Sequence, residues 1–315
     1  MCALNEVKGM VLIMKNKVVL IGCGNVGMSY VYALLNQRTN VNELVLIDIN
    51  KERIEGEAMD LNHCLAFAPS KIDIKAGDYA DCKDATLVVI AAGANQAPGE
   101  TRMDLINKNS KIFKSIVTSV VENGFKGIFL VATNPLDVMT YLTWKYSGFD
   151  SSRVMGTGTS LDTARLRYLV GDKLGLNPKN VHAYVIGEHG DSEFVPWSNA
   201  NIGLQNIDSF IEKSELSDIE LDVKNAAYEI INRKGATYYG IGMCLVMITN
   251  AILSDENRVI TVSNYDKEND IYIGTPAIVN KTGIKQRIYI ELTEEETRKL
   301  QNSVDVIKDA INKIQ

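Results

Sequence analysis

Lys17-Val18-Val19-Leu20-Ile21-Gly22-Cys23-Gly24-Asn25-Val26-Gly27 carries a short, β-branched apolar run directly into a glycine-rich turn, and a helical pattern follows over 28–37. Strand, GxGxxG turn and helix together form a cradle for a dinucleotide pyrophosphate. Gly22 permits the tight turn and Gly24 lets a phosphate reach the backbone. Gly27 lets helix and strand pack closely, with the anion at the helix N-terminus beside Asn25 and Val26. The glycine spacing alone is weak. A second apolar run, Glu43-Leu44-Val45-Leu46-Ile47, ends in Asp48, 21 positions after Gly27, where the ribose-binding acid of such a unit is expected. An acid there accepts hydrogen bonds from ribose hydroxyls and repels the extra phosphate of NADP, so NAD is the expected cofactor. Arg53, five positions on, either softens that repulsion or sits on the adenosine diphosphate side of the cofactor.

Further apolar runs over 86–92 and 127–132 alternate with helical segments over 51–67 and 105–123. Strands alternating with helices imply a doubly wound parallel α/β sheet with right-handed crossovers. Ligands bind beyond the carboxyl ends of such strands, which directs attention to Gly93, Ala94, Ala132, Thr133 and Asn134.

The charge balance, 33 Lys and Arg against 39 Asp and Glu, leaves a net charge of -6. No basic footprint for nucleic acid exists, and no partner of that kind or membrane association is expected. Five cysteines are an odd number without CxxC spacing, so neither a disulfide framework nor a zinc site is expected, and no metal. Reduced thiols point to the cytoplasm. Residues 1–16 read as an N-terminal extension; their apolar piece, Met10 to Met14, lacks a signal-type cleavage site before the strand that follows.

Three histidines occur in the chain, and His189 lies in Val185-Ile186-Gly187-Glu188-His189-Gly190-Asp191, where an apolar stretch meets a glycine-bracketed polar turn. An imidazole gives and takes protons near neutrality, and the glycines let a substrate approach the backbone. A lone histidine is more often structural. Its company decides the matter.

Gly93-Ala94-Asn95-Gln96-Ala97-Pro98-Gly99-Glu100-Thr101-Arg102-Met103-Asp104-Leu105 has the punctuation of a lid. With Ala132-Thr133-Asn134-Pro135-Leu136-Asp137, Gly158-Thr159-Ser160-Leu161-Asp162-Thr163-Ala164-Arg165-Leu166-Arg167 and the His189 turn, it resembles the lactate and malate dehydrogenase family, and within it the bacterial L-lactate dehydrogenases. The resemblance runs from about Lys17 to the C-terminus and implies a Rossmann-type NAD-binding domain over 17–151, followed by an α+β substrate domain over 152–315.

It implies His189 as proton donor in reduction and acceptor in oxidation, with Asp162 orienting the imidazole. Arg165, at i+3 from Asp162 on one helix face, suits bidentate capture of a substrate carboxylate. Arg102 would arrive with lid closure to polarise the ketone oxygen and expel water. Asn134 donates an amide bond to substrate, and Thr237 faces it. Tyr79, Ser115 and Thr157 join the cofactor contacts by the same resemblance.

The implied reaction is reversible hydride transfer between NADH and pyruvate, giving (S)-lactate and NAD, a step of glycolysis and fermentation. Malate or another L-2-hydroxyacid is the alternative. Gln96 occupies the position facing the third-carbon substituent, and a neutral amide leaves the second carboxylate of oxaloacetate unpartnered. An arginine there would be the malate-type choice, since unit charges ~4 Å apart at an effective dielectric near 20 interact by about 4 kcal/mol before desolvation. Arg167 and His182 match positions that bind fructose 1,6-bisphosphate in activated bacterial members, which implies an allosteric effector site at a subunit interface of a homo-oligomer, expected to be a tetramer. A sensor without turnover would need the glycine turn and Asp48 but not His189, Asp162, Arg165 and Arg102 together. A redox-regulated structural protein would lean on the cysteines instead.

In the second half, 216–233 and 239–253 read as helices, 257–264 and 270–292 as strands, and Thr293-Glu294-Glu295-Glu296 as the capping box of a terminal helix. Thr275 stands where valine is usual in the family, a departure that bears on packing.

Overall fold

In chain order the elements are β1 (Lys17–Ile21), α1 (Asn25–Leu35), β2 (Glu43–Ile47), α2 (Lys51–Cys64), β3 (Asp73–Ala76), β4 (Leu87–Ile90), α3 (Arg102–Glu122), β5 (Ile128–Val131), α4 (Leu136–Ser147), β6 (Val154–Gly156) and α5 (Ser160–Leu174). They continue with a small pair, β7 (Asn201–Ile202) and β8 (Gln205–Asn206), then α6 (Lys213–Lys234), α7 (Tyr239–Leu253), β9 (Arg258–Asp266), β10 (Ile271–Asn280), β11 (Gly283–Arg287) and α8 (Glu294–Asn312). The computed structural model from which they are taken describes residues 16–94 and 102–314, with Arg102 by its backbone alone. The extension over 1–15, Gln96 and the rest of the lid over 95–101 lie outside the described residues.

Among the described residues one nine-stranded sheet has the order β11-β10-β9-β6-β5-β4-β1-β2-β3. The run β3-β2-β1-β4-β5-β6 is parallel and has the doubly wound order, with its crevice at the β1/β4 switch point. The second half does not build its long strands into a separate sheet. β9 joins β6 antiparallel through Gly156 and Ser263, and β10 and β11 extend the same sheet.

Buried parallel strands read as continuous apolar runs because helices cover both faces. Along β1, Val18 and Leu20 enter one core with Tyr30, Leu245 and Ile248, whereas Val19 and Ile21 enter the other with Phe113, Val117 and Leu136. That division is the period-2 alternation of a strand. Helix α7 lies on α1, where the Tyr30 hydroxyl meets the Thr249 hydroxyl at 2.9 Å.

Boundaries shift from the sequence expectations where the backbone has local reasons. Helix α1 begins at Asn25, inside the glycine turn, and α2 ends at Cys64. The strand expected over 270–292 divides into β10 and β11 about a tight turn, and β11 ends at Arg287. The terminal capping box forms as expected: Glu296 N–H donates to Thr293 Oγ1 at 3.3 Å, and Thr293 N–H donates to Glu296 Oε2 at 2.9 Å. Thr275 is buried, and its hydroxyl accepts from Asn264 Nδ2 at 2.9 Å, a bond that valine could not make. No helix among the described residues is long and apolar enough to cross a membrane.

Candidate active site

The glycine turn has the shape that its spacing implies. Gly22 has φ +98°, and a side chain there would strike the Ala92 backbone; one at Gly27 would strike the Gly22 carbonyl; one at Gly24 would meet nothing within 4 Å. The open position is therefore where phosphate must come close. Asp48 closes the turn: its Oδ2 accepts the Cys23 N–H at 2.8 Å and its Oδ1 the Asn50 N–H at 3.1 Å. The carboxylate retains acceptor capacity for ribose hydroxyls. Tyr79, half-buried, lies close enough to Asp48 to feel its charge.

Two cofactor expectations are less well placed. Arg53 pairs with Glu57 of its own helix at 3.2 Å and is half-exposed, which is the local i,i+4 solution for a helix cation. Ser115 is solvent-exposed on α3. At the carboxyl ends of β4 and β5 the loops are tied together. The Thr133 hydroxyl donates to the Ala92 carbonyl at 2.8 Å, and a side chain on Gly93 would meet Thr133. Buried Asn109 of α3 accepts from Ala94 N–H at 2.8 Å and donates to the Asn134 carbonyl at 3.1 Å. Sequence reasoning missed Asn109, since an amide within a helical pattern carries no motif. Asn134 is exposed, with its side chain available, and Thr157 is buried with its N–H on Val131. An open phosphate approach, an acid at the ribose position and fixed loops at the switch point fit a bound NAD.

Side chains from α4, α5, the His189 turn and β9 meet in one hydrogen-bonded cluster. Asp162, in the first turn of α5, is buried; its Oδ2 stands 2.7 Å from His189 Nδ1 and its Oδ1 accepts from Arg165 Nη1 at 2.8 Å. One carboxylate thus holds both expected partners. The turn that displays His189 is fastened to the sheet at Gly187, which exchanges backbone hydrogen bonds with Gly274 of β10 at 2.9 and 3.0 Å. Gly187 has φ +104°, and a side chain there would meet the Ser303 hydroxyl at 2.6 Å, so both conformation and space require glycine.

Behind His189, its N–H donates to Asp137 Oδ2 at 2.8 Å, and the Ser263 hydroxyl donates to Asp137 Oδ1 at 2.5 Å. Burial pushes the Asp137 carboxyl up to about 6, moderated by those two bonds. Asp137 had been read only as part of a loop motif, and Ser263 carries no motif.

Burial alone would disfavour the imidazolium of His189, but the Asp162 carboxylate outweighs it and raises the pKa to about 9. The side chain keeps 24% exposure, so solvent screens part of that attraction. Burial likewise works against ionised Asp162, yet the charge and hydrogen bond of His189, then Arg165, hold its pKa below the ordinary value. The site can therefore present a charged acid at neutral pH, with the ring fixed through Nδ1 and Nε2 left for a substrate oxygen.

Arg102 opens α3 by its backbone, but its side chain lies outside the described residues, as does Gln96. Thr237 is half-buried in the connection between α6 and α7. It directly precedes Tyr238, the N-cap of α7. Away from this site, Arg167 donates through Nε to the Ala183 carbonyl at 3.0 Å, its guanidinium stands 4.8 Å from the Tyr184 ring centre, and neighbouring His182 is exposed.

The family model for the lactate/malate dehydrogenase NAD binding domain matches residues 16–156, and that for the alpha/beta C-terminal domain of the same family matches 159–315. L-lactate dehydrogenase 2 of Bacillus anthracis is 52% identical over 306 residues, spanning 94% of this chain and 97% of the relative. L-lactate dehydrogenase 1 of the same organism is 51% identical over the same shares. Among solved structures, a lactate dehydrogenase from a Medee basin deep-sea metagenome library superposes with TM-score 0.92 at 53% identity, covering 95% of this chain and 98% of its own. The minor L-lactate dehydrogenase of Enterococcus mundtii, 45% identical in its ligands-bound form, superposes with TM-score 0.93 over 96% of this chain and 99% of its own. With both domain models matched in order and the glycine turn, Asp48 and the Asp162–His189–Arg165 cluster in one structure, the chain belongs to the lactate/malate dehydrogenase family.

Proposed function

We propose that this chain is an NAD-dependent L-lactate dehydrogenase that interconverts pyruvate and (S)-lactate. The observation that carries the reading is the buried Asp162 carboxylate joining His189 at 2.7 Å and Arg165 at 2.8 Å. That arrangement combines a proton donor with a carboxylate anchor. Residues 17–151 form the cofactor half and 152–315 the substrate half. Gly22, Gly24, Gly27, Asp48 and the Asn109-tied loops hold the dinucleotide, which when bound supplies the hydride to the carbonyl carbon and takes it back in the reverse direction.

Arg165 binds the substrate carboxylate with donors not engaged by Asp162, and Asn134 orients the substrate through its amide. Negative charge develops on the ketone oxygen as the C–O double bond is reduced. His189 donates its Nε2 proton to that oxygen, leaving a neutral imidazole still bound through Nδ1 to Asp162. In oxidation the neutral imidazole accepts the hydroxyl proton of lactate. Arg102 polarises the oxygen when the lid closes, and Thr237 borders the substrate.

Gln96 favours pyruvate over oxaloacetate because a neutral amide offers no counter-charge to a second carboxylate. Consumption of NADH, followed by its absorbance with pyruvate and in parallel with oxaloacetate, tests the reading. Strong turnover with pyruvate and weak turnover with oxaloacetate are expected; the reverse order would move the assignment to malate.

The protein acts in the cytoplasm as a homotetramer, and Arg167 with His182 receives fructose 1,6-bisphosphate across a subunit interface. The exposed His182 beside an Arg167 held against the Ala183 backbone supports this effector reading. By linkage, the effector must then raise pyruvate affinity by the factor by which pyruvate raises effector affinity. Titration of the bisphosphate against pyruvate KM checks it, and an unchanged KM contradicts it.

A further inference from the structure

Glu193 is a buried acid, with side-chain exposure of 4%, that has no part in the mechanism above. Its Oε2 lies 3.9 Å from His189 Nδ1, too far to replace Asp162 as the acceptor. One polar atom each of Asp162, His189 and Glu193 lies within 4.8 Å of the others, so the Glu193 and Asp162 carboxyls share one buried site. Two carboxylates side by side in one buried site disfavour ionisation of both, so one of the pair holds a proton. Asp162 already accepts from His189 and Arg165. The proton therefore belongs to Glu193.

Charge counting agrees. Around this acid stand Asp162 and Arg165 from α5, His189 on its own turn, Asp137 of α4 behind the His189 N–H, and the Cys244 thiol of α7 within reach of the Asp162 charge. With His189 protonated and Glu193 neutral, the two cations His189 and Arg165 face Asp162 and Asp137, and buried Glu188 adds a further acid beside Asp137. Ionised Glu193 would add one more buried negative charge. On its other side Glu193 borders a cavity of about 620 Å³ whose remaining charged lining is Asp191, Glu220 and Glu295 against Lys224, Arg298 and Lys299. That balanced set supplies no surplus cation.

We propose that Glu193 is a positioning residue that stays protonated at neutral pH and donates a hydrogen bond to Asp162, so that one negative charge rather than two stands at the Nδ1 edge of His189. The proposal rests on the assignment of His189 and Asp162 as the proton-transfer pair. Burial first, and then the Asp162 charge, push the Glu193 carboxyl up to about 9. Glu193 thereby steadies the Asp162 carboxylate without adding to its pull on the imidazole proton.

Difference infrared spectroscopy of the whole enzyme against Glu193→Gln tests this directly. At about pH 8 Asp137 is ionised while Glu193 is still largely protonated, so the expected result is the carbonyl band of a carboxylic acid in the wild type, absent in the variant. No such band overturns the proposal. The measurement needs no turnover; failure of the wild type to reduce pyruvate would strike the proposed function and leave the band as the test of Glu193.

Kinetics provide a second readout. Glu193→Gln, neutral and still a donor, is expected to keep pyruvate kcat/KM at pH 7 within about twofold, whereas Glu193→Ala loses roughly tenfold or more with the charge-assisted bond. A fall of roughly one to three units in the alkaline midpoint of Glu193→Gln, the effect of removing a real charge, would show Glu193 to be ionised and overturn the proposal. A misfolded Glu193→Ala leaves the Gln comparison and the infrared band to decide it.

Discussion

Nδ1 of His189 and Oδ2 of Asp162 stand 2.7 Å apart, and the second oxygen of the same carboxylate is bound by Arg165. A single buried anion thus sets the charge state of His189 and the orientation of Arg165. Asp162→Asn should lower pyruvate kcat/KM by roughly 100-fold or more, the scale of a general-acid contribution. Kinetics near pH 7 check it, and kcat and KM should both change because both partners lose their counter-ion.

The pH dependence has a defined sign. Folding raises the His189 pKa from 6.5 to about 9, so the imidazolium that pyruvate reduction needs persists through neutrality and is lost as pH rises through about 9. Pyruvate kcat/KM should fall across that limb while lactate oxidation, which needs the neutral ring, gains. The same shift makes the pair's contribution to stability complete below 6.5 and lost as pH rises through the folded pKa. Rate profiles in both directions from pH 6 to 10 measure the crossing.

Arg165→Lys should not be conservative. A lysine keeps the charge but loses the planar fork that serves Asp162 and a substrate carboxylate together. The expected loss is about 2–3 kcal/mol, or roughly two powers of ten in pyruvate kcat/KM, read as a raised KM with NADH binding unchanged.

Asp137→Asn places an amide NH₂ among the two donors that now meet the carboxylate, the His189 N–H and the Ser263 hydroxyl. A buried donor without an acceptor costs about 1–3 kcal/mol. Urea unfolding should show that loss, with kcat falling more than pyruvate KM rises. Ser263→Ala removes one donor and should cost less.

Asn109→Leu cuts the link between the loops after β4 and β5, freeing Ala94 N–H and the Asn134 carbonyl. NADH affinity should weaken by roughly tenfold, the equivalent of one or two net hydrogen bonds. Fluorescence titration of NADH measures it without substrate.

The parts legible in the sequence are those whose physics is local. β1 and β2 are continuous apolar runs because both faces of a parallel sheet are covered, and the glycine turn and Asp48 follow from one βαβ unit. β3 escaped notice because Asp73-Ile74-Lys75-Ala76 is an edge strand with its charged side chains outward, and β6 has three residues. α4 lacks a polar face to mark its period, since most of its side chains are buried. In the candidate site, a motif marks Asp162, Arg165 and His189, whereas residues defined by a partner carry no such mark. Asp137 meets His189 across 52 positions and Ser263 across 126, separations that no spacing rule reaches. The joining of β9 to β6 is invisible for the same reason, because alternating apolar residues record a face and not a neighbour.

Nitrogen NMR of His189 in the NADH complex tests the central claim most directly, and only His63 and His182 share its spectrum. The account predicts a protonated ring at neutral pH, titrating near 9 and falling by roughly one to three units in Asp162→Asn. A ring already neutral at pH 7, or a midpoint that ignores the loss of the Asp162 charge, would contradict it.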